Sequence, residues 1–243
     1  MVDHTRRTVL AAVGTGLALS TTATVGGATD DHEPADGARV VHLSPDAPPV
    51  DVYVDGEVAF EGVDPFATQS EYLGYTPGSY PAAFVPAGED PDEAVLETEI
   101  ALDSGEYTIA AVGEVCAVSG NELQFAQFED DNSPTEPGSA RLRVVHASPD
   151  APAIDVSVDD ERLVENLGFG DGEYATVPAG EAILAINETG ADDPLARFRI
   201  ESEAGSVYTG FGVGYLDPEN APESAHEIPF SLALVEDAAP GEQ

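Results

Sequence analysis

Lysine is absent from the 243 residues, and eight arginines stand against 47 aspartates and glutamates, for a formal net charge of −39. A chain this acidic offers no basic surface to nucleic acid or to anionic lipid, so we exclude both as partners. The acidic residues are spread along the whole chain rather than gathered in a tail. Because molar salt shortens the Debye length to about 3 Å, dispersed carboxylates repel one another little there and keep a protein hydrated. The composition therefore predicts a halophilic source of the haloarchaeal type.

Cysteine occurs once, at Cys116, and tryptophan does not occur at all. A single cysteine excludes an internal disulfide. We predict that Cys116 is a buried small hydrophobe, with a metal ligand and an intermolecular bridge as the alternatives. The core tryptophan and paired cysteines of antibody domains are missing, so any immunoglobulin-like fold here has to form without them.

Long hydrophobic runs are also scarce, and the one modest run lies at the N-terminus. Arg6 and Arg7 precede an apolar stretch over residues 9–23 that is rich in Ala, Gly and Thr. The stretch is too short and too weakly apolar for a membrane span and resembles a twin-arginine (Tat) signal. We predict cleavage after Ala28, which would leave a mature chain without a transmembrane span, outside the cell or at its surface. Retention of the uncleaved signal as an anchor is the alternative.

The remaining chain contains the same string twice. "RVVHLSPDAPPVDVYVD" begins at Arg39 and "RVVHASPDAPAIDVSVD" begins at Arg143. A repeat of about a hundred residues is the size of a domain. We therefore predict a signal (1–28), a disordered lead (29–37), domain 1 (38–130), a linker (131–139), domain 2 (140–237) and a disordered tail (238–243).

Within each repeat the apolar residues alternate with polar ones in short runs separated by Gly, Pro and Asp. Such runs are typical of antiparallel β-sandwiches, and no long segment after the signal carries a helical apolar stripe. Tyr107 follows "DSGE" and Tyr208 follows "AGSV", each early in a late strand. These tyrosines resemble the tyrosine corner of immunoglobulin-like sandwiches, in which the hydroxyl bonds to backbone just upstream. The pattern predicts an all-β protein of two tandem immunoglobulin-like antiparallel β-sandwich domains.

The repeated string itself predicts a rigid corner between two strands. Proline after serine presets a turn, and Ser and Asp side chains bond to nearby backbone groups. We assign this structural role to ten residues: His42, Ser44, Pro45, Asp46, Pro48, His146, Ser148, Pro149, Asp150 and Pro152. A hydrolytic triad of His42, Ser44 and Asp46 is a minor alternative, because three residues alternating along one short stretch seldom converge as catalysis requires.

Two modification or ligand sites remain as hypotheses. Carboxylates after the corner offer hard oxygens to Ca²⁺, although the spacing of a calcium-binding loop is missing. The cation candidates are Asp46, Asp51, Asp55, Asp150, Asp155 and Asp159. Asn187 begins the sequon "NET" and is a glycosylation candidate.

The string "VVHxSPDAPxxDVxVD" followed by "GxxYT" resembles the family catalogued as domain of unknown function 4397. The resemblance covers two copies and nearly all of the mature chain, and it implies β-sandwich modules in exported or cell-surface proteins. It carries over no catalytic residue. The family's "VYVDG" is intact at Val52–Gly56 but reads "VSVDD" in the second copy, so we expect the second hairpin to turn differently.

These observations favour a secreted or cell-surface, non-enzymatic module without a cofactor. Its expected partner is a cell-envelope glycan or a surface-layer protein. A secreted hydrolase of polysaccharide or peptide and a Ca²⁺-dependent adhesion module are the alternatives.

Overall fold

The computed structural model describes residues 36–66 and 71–240. The predicted signal lies outside the described residues, as does most of the lead. The first eight strands are β1 (Gly37–His42), β2 (Val50–Val54), β3 (Glu57–Val63), β4 (Leu73–Gly74), β5 (Gly78–Pro86), β6 (Leu96–Leu102), β7 (Glu106–Val112) and β8 (Gln124–Asp130). The next eight are β9 (Ser139–His146), β10 (Ile154–Val158), β11 (Glu161–Leu167), β12 (Gly172–Pro178), β13 (Gly180–Glu188), β14 (Pro194–Ser202), β15 (Val207–Val213) and β16 (Ser231–Ala238).

Each set of eight strands forms two four-stranded sheets. In the first set the strand orders are β4-β1-β7-β8 and β3-β2-β5-β6. In the second they are β12-β9-β15-β16 and β11-β10-β13-β14, so the two repeats share one topology. Residues 131–138 connect β8 to β9. The predicted all-β protein of two sandwich domains is confirmed.

The strand order differs from the immunoglobulin order in two respects. Strands β1 and β2 lie in opposite sheets, whereas the first two immunoglobulin strands share one. Strand β1 also pairs in parallel with β7, and β9 with β15, so neither sandwich is purely antiparallel. The Pro-rich corner explains both differences. It carries the chain from the sheet of β1 to the opposite sheet, where β2 begins, so β1 pairs with β7 and not with β2.

Each sandwich has its own apolar core. Val52, Phe84 and Ile109 belong to the core of domain 1, and Val156, Leu184 and Ile200 to that of domain 2. A third apolar cluster joins the domains. It contains Val41, Leu43, Ala110, Val112 and Phe128 from the first domain, and Val145, Ala147, Phe211 and Val213 from the second. The β4-β1-β7-β8 and β12-β9-β15-β16 sheets therefore pack on each other, and the four sheets stack as four layers.

The inner strands are consequently buried on both faces. Val40 points into the core of domain 1, while the adjacent Val41 points into the layer between the domains. Every residue of β15 is buried. A strand covered on both faces is apolar throughout rather than alternating, and "EYTIAAV" and "VYTGFGV" have this character.

The two equivalent hairpins after β2 and β10 turn in the same way, so the expected difference between them is wrong. Asp55 and Gly56 have φ of 52° and 77°, and Asp159 and Asp160 have φ of 48° and 66°. Two successive residues with positive φ are the signature of a type I′ hairpin turn. Asp160 adopts the left-handed region in place of glycine, because a short polar side chain tolerates it.

Candidate functional site: the repeated corner and the layer between the domains

The repeated corner connects β1 to β2 in domain 1 and β9 to β10 in domain 2. Its histidines are buried, with His42 1% and His146 0% exposed. Nε2 of His42 lies 3.1 Å from the carbonyl oxygen of Pro48, and Nε2 of His146 lies 3.0 Å from that of Pro152. Because a carbonyl can only accept, each ring donates its Nε2 proton across the corner. Burial lowers the pKa of both imidazoles, which keeps them neutral.

The corner aspartates bind the loop that follows the parallel partner strand. The carboxylate of Asp46 accepts the N–H groups of Val115 and Cys116 at 2.8 and 2.9 Å. That of Asp150 accepts those of Leu216 and Asp217 at 2.9 and 2.8 Å. Each carboxylate thus satisfies two backbone donors and fixes the loop after β7 or β15 to the corner.

The serines complete the corner and do not form a hydrolytic triad with the histidines. The hydroxyl of Ser44 donates to Asp46 at 3.2 Å, and that of Ser148 donates to Asp150 at the same distance. Ser148 also lies 2.7 Å from the carbonyl oxygen of Gly214. A triad needs the histidine between the nucleophile and the acid. Here the serine bonds to the acid directly.

The aspartates that begin the next strand are used in the same manner. Asp51 accepts N–H groups of Gly62 and Gly88 at 2.7 and 3.0 Å. Asp155 accepts those of Asn166 and Gly190 at 2.9 and 3.1 Å. Burial alone would raise the pKa of Asp155, but these backbone donors outweigh it and lower the pKa.

Five of the six cation candidates, all but Asp55, are therefore dispersed among separate backbone contacts. Asp159 accepts the N–H of Ile183 at 2.9 Å. Within residues 36–66 and 71–240, no group of three or more His, Cys, Asp or Glu side chains is arranged to hold a metal ion. The carboxylates near the corners are occupied as hydrogen-bond acceptors for the chain itself.

The tyrosine corner takes the expected form in domain 2, where the hydroxyl of Tyr208 accepts the N–H of Glu203 at 3.1 Å. In domain 1, burial raises the pKa of Tyr107, and a hydrogen bond with the backbone of Asp103 opposes the rise. Sequence reasoning missed a second tyrosine at this corner. The hydroxyl of Tyr75 donates to the carbonyl oxygens of Asp103 and Gly105 at 2.5 and 2.8 Å.

Two further sequence predictions concern surface side chains. The prediction that Cys116 is buried is wrong: the thiol is free and exposed. Cys116 lies in the loop after β7, where the carboxylate of Asp46 accepts its backbone N–H. A hydrogen bond between the thiol and the same carboxylate raises the pKa of Cys116. The side-chain nitrogen of Asn187, which a glycan would occupy, donates to the carbonyl oxygens of Ala191 and Asp192 at 3.2 Å each.

The layer between the domains contains a buried network of charges that sequence reasoning missed. Nε of Arg39 donates to Thr108 of its own domain at 2.8 Å, while Nη2 lies 2.5 Å from Asp237 of the other domain. Nε of Arg143 donates to Thr209 of its own domain at 3.0 Å, while Nη1 lies 2.6 Å from Asp130 of the other. The network is a pseudo-two-fold arrangement in which each guanidinium bonds a threonine within its domain and a carboxylate across the interface.

The same network is closed by the threonines and by aromatic rings. Thr108 donates to Asp130 at 2.7 Å and Thr209 to Asp237 at 2.6 Å. Arg39 lies over the ring of Tyr72, and Arg143 lies between the rings of Phe128 and Tyr174. Burial raises the pKa of Tyr174 to about 12.

The formal charges of two arginines and two aspartates cancel in this buried network. Burial acts to lower the pKa of Arg39, but the charges of Asp237 and Asp130 outweigh it and raise the pKa. Burial raises the pKa of Asp237, and Arg39 opposes the rise. At neutral pH the guanidinium of Arg39 therefore remains charged. A sequence signal was available: the repeated string opens with an arginine in both copies, within an otherwise apolar strand.

Further along the same pseudo-axis, the hydroxyl of Tyr215 donates to the buried carboxylate of Glu114 at 2.7 Å. Glu114 and Tyr215 each follow the glycine after β7 or β15, so they are equivalent positions of the two repeats. Asn121 also donates to the carbonyl oxygen of Pro149 across the interface at 2.7 Å. Polar contacts thus join the domains at both the centre and the end of the layer.

A groove of about 410 Å³ lies between Gln127 and Phe128 of β8 and the segment 166–173 of domain 2. Its walls are mostly polar and open to solvent. The corner histidines do not line it.

The fold and the site define a tandem β-sandwich protein in which a repeated corner and a charged layer hold two similar domains together. The chain belongs to the family described as domain of unknown function (DUF4397), whose model matches residues 37–157 and 140–225. No protein of curated function matches the chain. A solved structure described as the Bacillus anthracis TIE protein is 12% identical, with 74% of this chain and 34% of that chain covered at a TM-score of 0.25. The chain spans about a third of that protein's length.

Proposed function

We propose that the protein is a non-enzymatic module of the halophile cell envelope, exported through the Tat pathway and acting in binding or adhesion as one rigid two-domain body. The observation that supports this most directly is the use of the repeated corner. In both copies its histidines and aspartates bond to the protein's own backbone, and its serines bond to those aspartates. Side chains that are hydrogen-bonded within the protein in this way stabilise its scaffold and are not free to bind or activate a substrate.

The layer between the domains supports the same proposal. Domains joined by an ordinary polar contact move relative to each other. Here a buried apolar cluster surrounds four buried charges, and two charged pairs cross the interface at 2.5 and 2.6 Å. A module of fixed shape suits a spacer or an adhesive unit that presents its outer sheets to the envelope.

No helix among the described residues is long and apolar enough to cross a membrane. The proposed location outside the cell depends on Arg6 and Arg7, which lie outside the described residues. Replacing both arginines by lysine keeps the charge and should retain the precursor in the cytoplasm. Secretion of the lysine variant at the wild-type level, measured by immunoblot of cells and medium, would contradict Tat export.

Binding is tested with the purified mature chain in molar KCl against two immobilised probes, surface-layer protein and envelope polysaccharide from a haloarchaeon. We expect saturable retention on one of them, and an acidic halophilic protein of unrelated fold serves as the control. Retention no greater than that control on both probes would contradict the binding role.

The hydrolase alternative is tested on the same preparation. The wild type and the double variant His42→Gln, His146→Gln are incubated with envelope polysaccharide and with peptide substrates. We expect no turnover by either. Turnover by the wild type that the double variant lacks would refute the structural role of the corner.

A further inference from the structure

The outer sheets of the two domains carry opposite charges at equivalent positions. In β6, Glu97 and Glu99 alternate with Leu96 and Ile100, which pack against the core of domain 1. In β14, Arg197 and Arg199 alternate with Phe198 and Ile200, which pack in the core of domain 2. The alternation directs both pairs of charges to the solvent side of their sheets.

The strand registers show that these positions correspond. Glu97 lies opposite Ala83 and Glu99 opposite Pro81 in domain 1. Arg197 lies opposite Ala185 and Arg199 opposite Ile183 in domain 2. The neighbouring strands extend the equivalence, because Ala83 pairs with Tyr53 and Ala185 pairs with Ser157. At these positions one face presents a tyrosine beside two glutamates, and the other presents a serine beside two arginines. Glu201 on β14 and Glu181 on β13 lie next to the arginines on the same side of that sheet.

This arrangement concentrates the scarce positive charge. Six arginines lie within the described residues; Arg39 and Arg143 are buried, and Arg141 is paired with Asp131 near the linker. The other three, Arg162, Arg197 and Arg199, all lie on β11 and β14, the two edges of the outer sheet of domain 2. Arg162 and Arg199 have carboxylate neighbours at 3.3 and 3.4 Å. Arg197 is exposed and has no ion pair with any described residue.

We infer that the outer sheet of domain 2 is a docking face for the outer sheet of domain 1 of a second copy of this chain. When the two sheets are stacked with their strands antiparallel, β6 of one copy faces β14 of the other. Glutamates then meet arginines, and Tyr53 meets the small side chain of Ser157. The inference does not rest on the proposed function, because it concerns only contacts between copies of the purified protein.

The charges also disfavour the symmetric alternatives. If two copies paired through their domain 2 faces with equivalent strands opposed, Arg197 and Arg199 of one copy would face the same arginines of the other. Pairing through the domain 1 faces places Glu97 and Glu99 against themselves. Like charges brought together across an interface select against that partner. A contact between two different faces leaves one free face at each end, so the association is open-ended and produces linear chains of molecules.

The size of the face predicts a weak association. Four strands about 4.8 Å apart, with about six residues of about 3.3 Å rise each, cover roughly 400 Å² per partner. The total of about 800 Å² lies below the range of stable interfaces. In molar salt the repulsion between two highly acidic copies is screened beyond about 3 Å, while ion pairs in contact persist. We therefore expect an association that grows with protein concentration.

The test uses the full mature chain in molar KCl and measures the weight-average mass by sedimentation over a hundredfold range of concentration. The wild type should rise steadily above the monomer mass without levelling at a dimer. The double variants Arg197→Glu, Arg199→Glu and Glu97→Arg, Glu99→Arg should each associate at least tenfold more weakly. An equimolar mixture of the two variants should associate again, because one carries glutamates on both faces and the other carries arginines on both.

The mixture separates a docking face from a folding defect, since two misfolded variants would not restore each other. Glu219→Arg, Glu223→Arg is the matched control for Glu97→Arg, Glu99→Arg, because it makes the same change of +4 in net charge on exposed residues of the 218–225 turns. That control should associate as the wild type does. A wild type that stays monomeric throughout, a closed dimer, or variants that associate as well as the wild type would each overturn the inference. So would a mixture that stays monomeric.

Discussion

The charged layer between the domains makes a quantitative prediction for Arg39→Met. The side chains of Arg39 and Asp237 are 1% and 0% exposed, and the substitution leaves Asp237 and Asp130 buried with only Arg143 to balance them. Breaking a buried pair by removing one partner costs about 3–5 kcal/mol. We therefore expect the free energy of unfolding to fall by that amount, measured by urea denaturation in molar KCl with circular dichroism. The exposed Arg199→Met is the control and should cost about 1 kcal/mol or less.

The double variant Arg39→Met, Asp237→Leu distinguishes this reasoning from a simple loss of packing. It removes one positive and one negative charge and leaves Arg143 paired with Asp130, so the layer is again neutral. We expect it to be more stable than Arg39→Met alone, with a coupling energy of about 2 kcal/mol. Additive costs of the two substitutions, or a cost of Arg39→Met no larger than that of the Arg199 control, would refute the reasoning.

Asp46→Ala and Asp150→Ala each leave two backbone N–H groups without an acceptor, so each should lower the free energy of unfolding by about 1–3 kcal/mol in urea denaturation; a binding loss with unchanged unfolding would instead indicate a ligand site. Asp160→Gly places glycine at a position of positive φ in the second hairpin turn. It should raise the free energy of unfolding by about 0.5–1 kcal/mol, and the melting temperature with it. A lower melting temperature would contradict the turn geometry. Burial lowers the pKa of His42 and His146 from 6.5 in the folded chain. As the pH falls below about 6.5, the unfolded chain therefore binds protons before the folded chain does, and the free energy of unfolding decreases. Melting between pH 7 and pH 5 should therefore shift less in a double His→Gln variant than in the wild type. Calorimetry with Ca²⁺ in molar KCl should give no saturable heat, since the corner carboxylates already accept backbone donors; a saturable event would restore the cation site.

The two sheets of each domain can be predicted from the sequence, whereas the packing of one domain on the other cannot. Alternation in "DVYVD" and the prolines of the corner indicate strands and the turn between them, because these signals are local. The parallel pairing of β1 with β7 joins residues far apart in the chain and has no local signal. The contact between the domains explains why "RVVH" contains an arginine, which in a single sandwich would belong at the surface.

The aspartate that satisfies Arg39 is a second case that local pattern cannot reach. Asp237 lies at a register shift near the end of β16, where one residue is displaced from the regular alternation. The alternation of residues along the strand does not predict which face of the sheet such a residue occupies. The partner across the interface, Arg39, determines the face. Cys116 was placed wrongly for a related reason, since the carboxylate that fixes its loop, Asp46, lies far back in the sequence.

The position of Asp237 has a consequence for biosynthesis. Domain 1 is translated first, yet the carboxylate that neutralises its buried guanidinium belongs to the sixteenth strand. Until that strand leaves the ribosome, Asp130, whose carboxylate lies 3.6 Å from Nε, is the acidic partner of Arg39 within the first domain, so the pair with Asp237 forms late.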